Sequence, residues 1–242
     1  MNLCIDWGNT RTKVALFDAE KIVAEYNFKQ EEALMSLKQL MEEKRPDRCI
    51  VCSVAHHPSE LLPLLQEQGS KVLMLNSTTA LPIMNAYHTP ESLGADRLAL
   101  AVASWSAFPG QNSLAISVGT AVTYNFVQKS GIFRGGAISP GILSRLHAMH
   151  QDTDRLPQVK ADGELLLLGY DTETGIRSGV LNGILFEMEG MINAYKEQYP
   201  DTNITITGGD AGFFEGKLKS QIFADSKLLL KGLNLILQHN AR

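Results

Sequence analysis

The chain has 242 residues, 44% of them hydrophobic and 20% charged. That is enough apolar material for a packed core and too much for a disordered chain. The 22 Lys and Arg against 26 Asp and Glu leave a formal net charge of −4, so the basic excess that nucleic acid or an anionic membrane surface demands is missing. The cysteines, Cys4, Cys49 and Cys52, are odd in number and sit in apolar runs, which suits a reducing compartment better than a disulfide framework. The opening MNLCIDWGNTRTK lacks a basic stretch ahead of an apolar core, and no apolar run is long enough to span a bilayer. A cytoplasmic protein with neither secretory leader nor membrane span is therefore expected.

In chain order, Met1–Asp6 is a short apolar strand, WGNTR a turn, and Lys13–Asp18 and Lys21–Phe28 two further strands. EEALMSLKQLMEEK carries Leu34, Leu37 and Met41 on one face of a helix. Arg48–Val54 reads as a buried strand, 59–68 as helix, Lys71–Asn76 as strand, and Leu98, Ala101, Val102 and Trp105 space another helix. After Pro109 and Gly110 the pattern restarts: strand Leu114–Val118, turn Gly119-Thr120, strand Ala121–Val127, and Gly131–Ile138 closing a second meander. Helices at about 141–150 and 173–197, the strand Ile204–Thr207 and a helix near Leu233–Gln238 follow.

The two openings, Cys4 to Thr10 and Ala115 to Thr120, are alike: an apolar strand ends in a polar residue and a Gly/Thr turn that feeds a second strand. This element order points to two similar α/β domains facing across a cleft, over residues 1–110 and 111–242.

The first turn has the chemistry of a polyphosphate and metal site. Asp6 at a strand end offers a hard oxygen to Mg²⁺. Gly8 allows close backbone approach, Thr10, Thr12 and the turn N–H groups can donate to phosphate oxygens, and Lys13 adds positive charge. The same residues also suit a plain hairpin turn. The second turn, Gly119-Thr120, favours the phosphate reading, because two such hairpins across a cleft make a nucleotide clamp. Further on, Pro90 and Gly94 punctuate a segment that sets Asp96 and Arg97 in the first turn of a helix. There Asp96 can accept a hydroxyl proton while Arg97 binds an anionic group. Equally, Asp96 can be a carboxylate favoured by the helix dipole, with Arg97 solvated.

The ordered motifs resemble the type III pantothenate kinases, within the superfamily of acetate and sugar kinases, heat-shock ATPases and actin. Asp6-x-Gly8-Asn9-Thr10-x-x-Lys13 is similar to their first phosphate motif, and Tyr87-x-x-Pro90-x-x-Leu93-Gly94-Ala95-Asp96-Arg97 to their pantothenate segment. Gly119-Thr120-Ala121-x-Thr123, Gly135-Gly136-Ala137-Ile138-x-Pro140-Gly141, Leu156-Pro157, Thr172 ahead of Ser178-Gly179, and Thr207-Gly208-Gly209-Asp210 follow in the family's order. The resemblance implies two duplicated ribonuclease H-like, actin-like ATPase domains and ATP-dependent phosphorylation of pantothenate to 4′-phosphopantothenate, opening coenzyme A synthesis. It implies that Asp6, Trp7, Gly8, Asn9, Thr10, Arg11, Thr12, Lys13 and Thr120 form the ATP site, with Asp6 organising Mg²⁺. By the same resemblance Tyr87, Gly94, Ala95, Asp96, Arg97 and Thr172 line the pantothenate site, with Asp96 as general base, in a homodimer whose pocket is completed at the subunit interface.

One position departs from the pattern. Ser117 stands where the family usually has an aspartate that binds K⁺ or NH₄⁺, and Asn125 stands where an acid is also common. A neutral oxygen implies a weakened, rebuilt or absent monovalent-cation site. Two alternatives to the kinase are a non-catalytic regulatory protein on the same scaffold and a kinase of another small hydroxyl substrate, such as a sugar. Cys49-x-x-Cys52 lies in a strand where residues three apart face opposite ways, so two buried thiols are expected there rather than a metal site. His56 and His57 read as solvated loop histidines.

Overall fold

The computed structural model describes residues 1–53, 57–67 and 70–241, which fall into two compact units. The first comprises Met1–Pro109, Ser130–Arg134 and Lys227–Arg242; the second comprises Gly110–Lys129 and Gly135–Ser226. Chain order alone divides the protein near 110, but residues 130–134 and 227–242 belong to the first unit.

The first unit opens with an antiparallel meander, β1 (Asn2–Trp7), β2 (Arg11–Asp18) and β3 (Lys21–Lys29). Helix α1 (Ala33–Lys44) crosses to β4 (Arg48–Ser53), parallel to β1, and α2 (Leu61–Glu67) leads to β5 (Lys71–Met74), parallel to β4. The sheet order is β3-β2-β1-β4-β5. Alternation along β1 sends Leu3, Ile5 and Trp7 into a core with Val14, Leu16, Leu37, Met41, Leu61 and Leu65, which explains why α1 and α2 share a face. After the short β6 (Met84–Asn85) and a 3₁₀ turn at Pro90–Ser92 comes α3 (Ala95–Ala107).

The second unit repeats the opening with β7 (Ser113–Val118) and β8 (Ala121–Val127), paired antiparallel. The stretch 131–138, expected as one strand, is two. Gly135 and Gly136 take positive φ of 90° and 147° and break it into β9 (Ile132–Gly135) and β10 (Ile138–Pro140). In the first unit, Ile132 and Phe133 of β9 pair with Met84 and Asn85 of β6, while β10 pairs antiparallel with β8.

Helices α4 (Ile142–Gln151) and α5 (Thr172–Gln198) come next, the latter started by an Asp171–Thr174 capping box. The chain continues through β11 (Asn203–Thr207), parallel to β7, then α6 (Ala211–Phe214) and β12 (Phe223–Ala224), parallel to β11. Leu114, Ile116, Tyr124, Phe126 and Ile206 from the strands meet Ile176, Leu181, Ile184 and Met188 of α5 in this unit's core.

The last helix, α7 (Leu228–His239), returns to the first unit and packs on α3, β1 and β4. It begins five residues before the predicted start because Leu228 and Leu230 are buried too. Asn234 fastens it: its side-chain oxygen accepts from Asn2 and its amide donates to the Ala19 carbonyl, at 2.9 and 2.8 Å.

Candidate active site

Strand register decides which residues of the first turn act together. Asp6 pairs with Lys13 across β1 and β2, and Trp7 pairs with Thr12. Cross-strand partners share a face, so Asp6 and Lys13 lie on one side of the sheet and Trp7 and Thr12 on the other. Trp7 is 1% exposed and Thr12 fully buried. Their side chains therefore belong to the core, and the Thr12 hydroxyl, read from sequence as a phosphate donor, is turned inward. The Gly8 N–H donates to the Arg11 carbonyl at 3.2 Å and closes the turn. Asn9, Thr10 and Arg11 are exposed at its tip.

The polar side of this turn is acidic. Removal from water pushes the half-buried Asp6 carboxyl up to about 6; Lys13 opposes that rise and the charge of Asp96 adds to it. Asp96, in the first turn of α3, is itself raised by burial. The N–H groups of Arg97 and of Asp96 itself, and the Arg97 charge, pull it back. Gly94 caps this helix, and a Cβ there would lie 2.5 Å from the Asp96 carboxylate oxygen, so glycine leaves room for the carboxyl to fold over the helix start.

Arg97 is not solvated. It is 4% exposed, and its guanidinium carbon lies 5.6 Å from the centre of the Tyr87 ring. Tyr87 in turn stacks on Phe133 with centroids 6.3 Å apart. Asp6, Lys13, Asp96, Arg97 and Tyr87 thus form a connected set within the first unit.

The second unit holds the other predicted residues. The Gly119-Thr120 turn is closed by the Gly119 N–H donating to the Ala121 carbonyl at 3.1 Å. The Thr120 carbonyl accepts from the Gly141 N–H at 3.0 Å and from the Ser144 hydroxyl at 2.8 Å. The Asp210 N–H donates to the Val118 carbonyl at 3.0 Å, bringing the Thr207–Asp210 turn to the end of β7. Thr172 opens α5, exposed, on the rim of a mostly apolar cavity of about 800 Å³ between α4 and α5, which Met149, Leu156, Ile176 and Val180 also line.

A family model of the type III pantothenate kinases matches residues 2–194. A type III pantothenate kinase of Bacteroides fragilis (strain YCH46) is 47% identical over 240 residues, 99% of this chain and 98% of its own. The chain belongs to the type III pantothenate kinase family. Among solved structures, a Campylobacter jejuni protein assigned to a Baf family of transcriptional activators matches with a TM-score of 0.66 at 19% identity, covering 99% and 98% of the two chains. A hexokinase of the ROK class from Thermus thermophilus matches with a TM-score of 0.51 at 14% identity, covering 99% of each. These likenesses identify the fold as the mixed α/β architecture of actin-like ATPases and sugar kinases.

Against that family frame, Ser117 pairs with Thr123 of β8 and Thr207 of β11, so the three side by side are all neutral hydroxyls. Asn125 is fully buried and donates to the Ala115 carbonyl at 3.3 Å and the Thr123 hydroxyl at 3.1 Å. Cys49 lies in the core with Leu3 and Val51, while Cys52 lies on the other face, its thiol raised by burial and by the charges of Asp6 and Asp96. The His57 ring donates to the Pro58 carbonyl; His56 lies outside the described residues. Two side-chain groups escaped sequence reasoning. Gln30 binds the first turn, and Glu187 takes hydrogen bonds from Tyr124, Ser139 and Arg145 behind the second. Neither falls in a motif, and no local signal marks them.

Proposed function

We propose that this chain transfers the terminal phosphoryl group of ATP to the primary hydroxyl of pantothenate, forming 4′-phosphopantothenate at the first step of coenzyme A synthesis. The observation that carries this reading is the juxtaposition of Asp6, Lys13 and Asp96 at one end of the first sheet in a chain of this family. Asp96 takes the hydroxyl proton on its carboxylate oxygen. Its raised proton affinity suits that task, although a loose phosphoryl-transfer transition state asks little of the base. Arg97 and Tyr87 hold pantothenate by charge and ring contact, joined by Gly94 and Ala95. Gly8, Asn9, Thr10, Arg11 and Lys13 hold the ATP phosphates.

The donor set fits a divalent cation. Asp6 is a carboxyl with a raised proton affinity beside a second carboxyl, and a hard cation relieves that repulsion. Asp6 would hold Mg²⁺ there, which would supply neutralisation of phosphate charge, and Lys13 would share that charge. Ser117 offers a neutral oxygen, so turnover proceeds without K⁺ or NH₄⁺. The working form is a homodimer, a reading supported by the exposed Leu167, Leu168 and Tyr170 just ahead of α5.

The test is an ATP-coupled assay of the purified chain with pantothenate, beside a sugar acceptor. Turnover with pantothenate alone supports the reading; no turnover under varied cations refutes it.

A further inference from the structure

Gln30, the residue immediately after β3, grips the first turn at four points. Its backbone N–H donates to the Thr10 carbonyl at 3.3 Å. With the amide oxygen toward the indole, Oε1 accepts from Trp7 Nε1 at 2.7 Å, and Nε2 donates to the Gly8 carbonyl at 3.2 Å and to Thr12 Oγ1 at 3.1 Å. Only this orientation makes all three side-chain contacts donor–acceptor pairs; the reverse keeps the Thr12 hydroxyl bond and sets the amide N–H against the indole N–H.

Two physical demands meet here. Trp7 and Thr12 are buried, and a buried indole N–H or hydroxyl without a partner is costly, so a polar side chain is required beneath the turn. The second demand concerns the turn's outer side. A trans peptide points its C=O and N–H in opposite directions. Gln30 draws the Gly8 and Thr10 carbonyls toward itself, which aims the N–H groups of Asn9 and Arg11 the other way. Carbonyl oxygens facing a polyphosphate would repel it, whereas N–H groups attract it.

We propose that Gln30 is a positioning residue for the nucleotide: it holds the Trp7–Thr12 turn with its carbonyls inward and its N–H groups toward the phosphates. This rests on the reading of that turn as an ATP phosphate site. The experiment compares wild type, Gln30→Met and Gln30→Glu by steady-state kinetics, by calorimetric titration with MgATP without pantothenate, and by thermal melting. Gln30→Met keeps the length and removes both bonding groups; Gln30→Glu still accepts from Trp7 but sets an oxygen against the Gly8 carbonyl.

Both variants are expected to raise the KM and Kd for ATP about tenfold, the scale of one lost hydrogen bond with its partner left unpaired. The KM for pantothenate is expected to stay within about twofold. Unchanged ATP parameters in a folded variant, or equal rises for both substrates, overturn the proposal. If Gln30→Met does not fold, Gln30→Glu decides it on the same terms. Should neither fold, Trp7→Phe decides: it frees the amide that the indole anchors and must also raise the KM for ATP selectively. Wild-type protein that does not bind MgATP refutes the phosphate site itself, an outcome distinct from variants that bind as wild type does.

Discussion

The charge of Asp96 opposes the ionisation of Asp6. The two carboxyls come from different elements, one near the end of β1 and one in the first turn of α3, and burial first, with the Asp96 charge adding and Lys13 opposing, lifts Asp6 to about 6. Its value in an unfolded chain is 3.8. Between those values the folded state binds more protons than the unfolded state, so stability falls as pH rises through the window and the whole deficit is present above it. A gap of about two units corresponds to about 3 kcal/mol. Asp6→Asn is therefore expected to melt several degrees higher than wild type at pH 8 and to match it near pH 4, while losing kinase activity. Melting curves across pH 4–8 without metal or nucleotide check this; parallel curves for the two proteins contradict it.

Asp96→Asn separates the two carboxyls. As general base its loss is expected to lower kcat by about 10²-fold, the low end of general-base effects, because a loose transition state asks little of the base. It also removes a negative charge beside Asp6, whose proton affinity then drops while burial keeps it above the ordinary carboxylate range. The acid limb of MgATP binding should accordingly move to lower pH in Asp96→Asn than in wild type. Titration of ATP itself is common to both proteins and cancels in the comparison. Calorimetric titration between pH 5 and 8 reads the shift, and coincident limbs show that the two carboxyls do not interact.

Much of this site is legible in the amino-acid sequence alone. Asp6, Gly8 and Lys13 are picked out by local residue type and spacing, Asp96 only by the resemblance to the family, and the alternation of β1 and β2 is strong enough to place a strand on each side of the turn. What periodicity cannot carry is partnership at a distance. Gln30 reaches Trp7 only through the β2–β3 register, and Arg97 reads as a solvated helix-start cation until Tyr87, ten residues earlier, is folded against it. The membership of α7 in the first unit is likewise a matter of packing on β1 and α3, not of anything in its own residues.

Gly141 is required for space and not for conformation, since its φ of −77° suits any residue. A Cβ there would fall 1.9 Å from the Gly119 carbonyl oxygen and 2.9 Å from that of Thr120. Gly141→Ala must therefore displace the second turn, with overpacking costs of about 1–3 kcal/mol or more. The expected result is a lower melting temperature and a raised KM for ATP. Ser144→Ala, which removes one hydrogen bond to the same Thr120 carbonyl, should raise that KM less and leave the melt nearly unchanged.

The homodimer reading predicts a cost for charge at Leu168, which is 84% exposed. Charge in place of an apolar side chain that already stands in water costs little unless a second copy covers it. Leu168→Glu is expected to sediment as a monomer where wild type is a dimer. A wild-type monomer at micromolar concentration removes this reading.

Ser117 makes the prediction about cations specific. A carboxylate at that position would add a negative charge able to hold K⁺ or NH₄⁺; the serine lies between Thr123 and Thr207, and all three offer only neutral oxygens. The buried Asn125 spends its amide on the Ala115 carbonyl and the Thr123 hydroxyl, so it brings no charge either. Electrostatic attraction for a monovalent cation is correspondingly reduced. Steady-state rates in buffers containing only a bulky organic cation should therefore match those with K⁺ or NH₄⁺ restored. Ser117→Asp supplies the converse: the added charge should create a K⁺ dependence where wild type has none. A steep K⁺ requirement in wild type would show that neutral hydroxyls suffice to build the site.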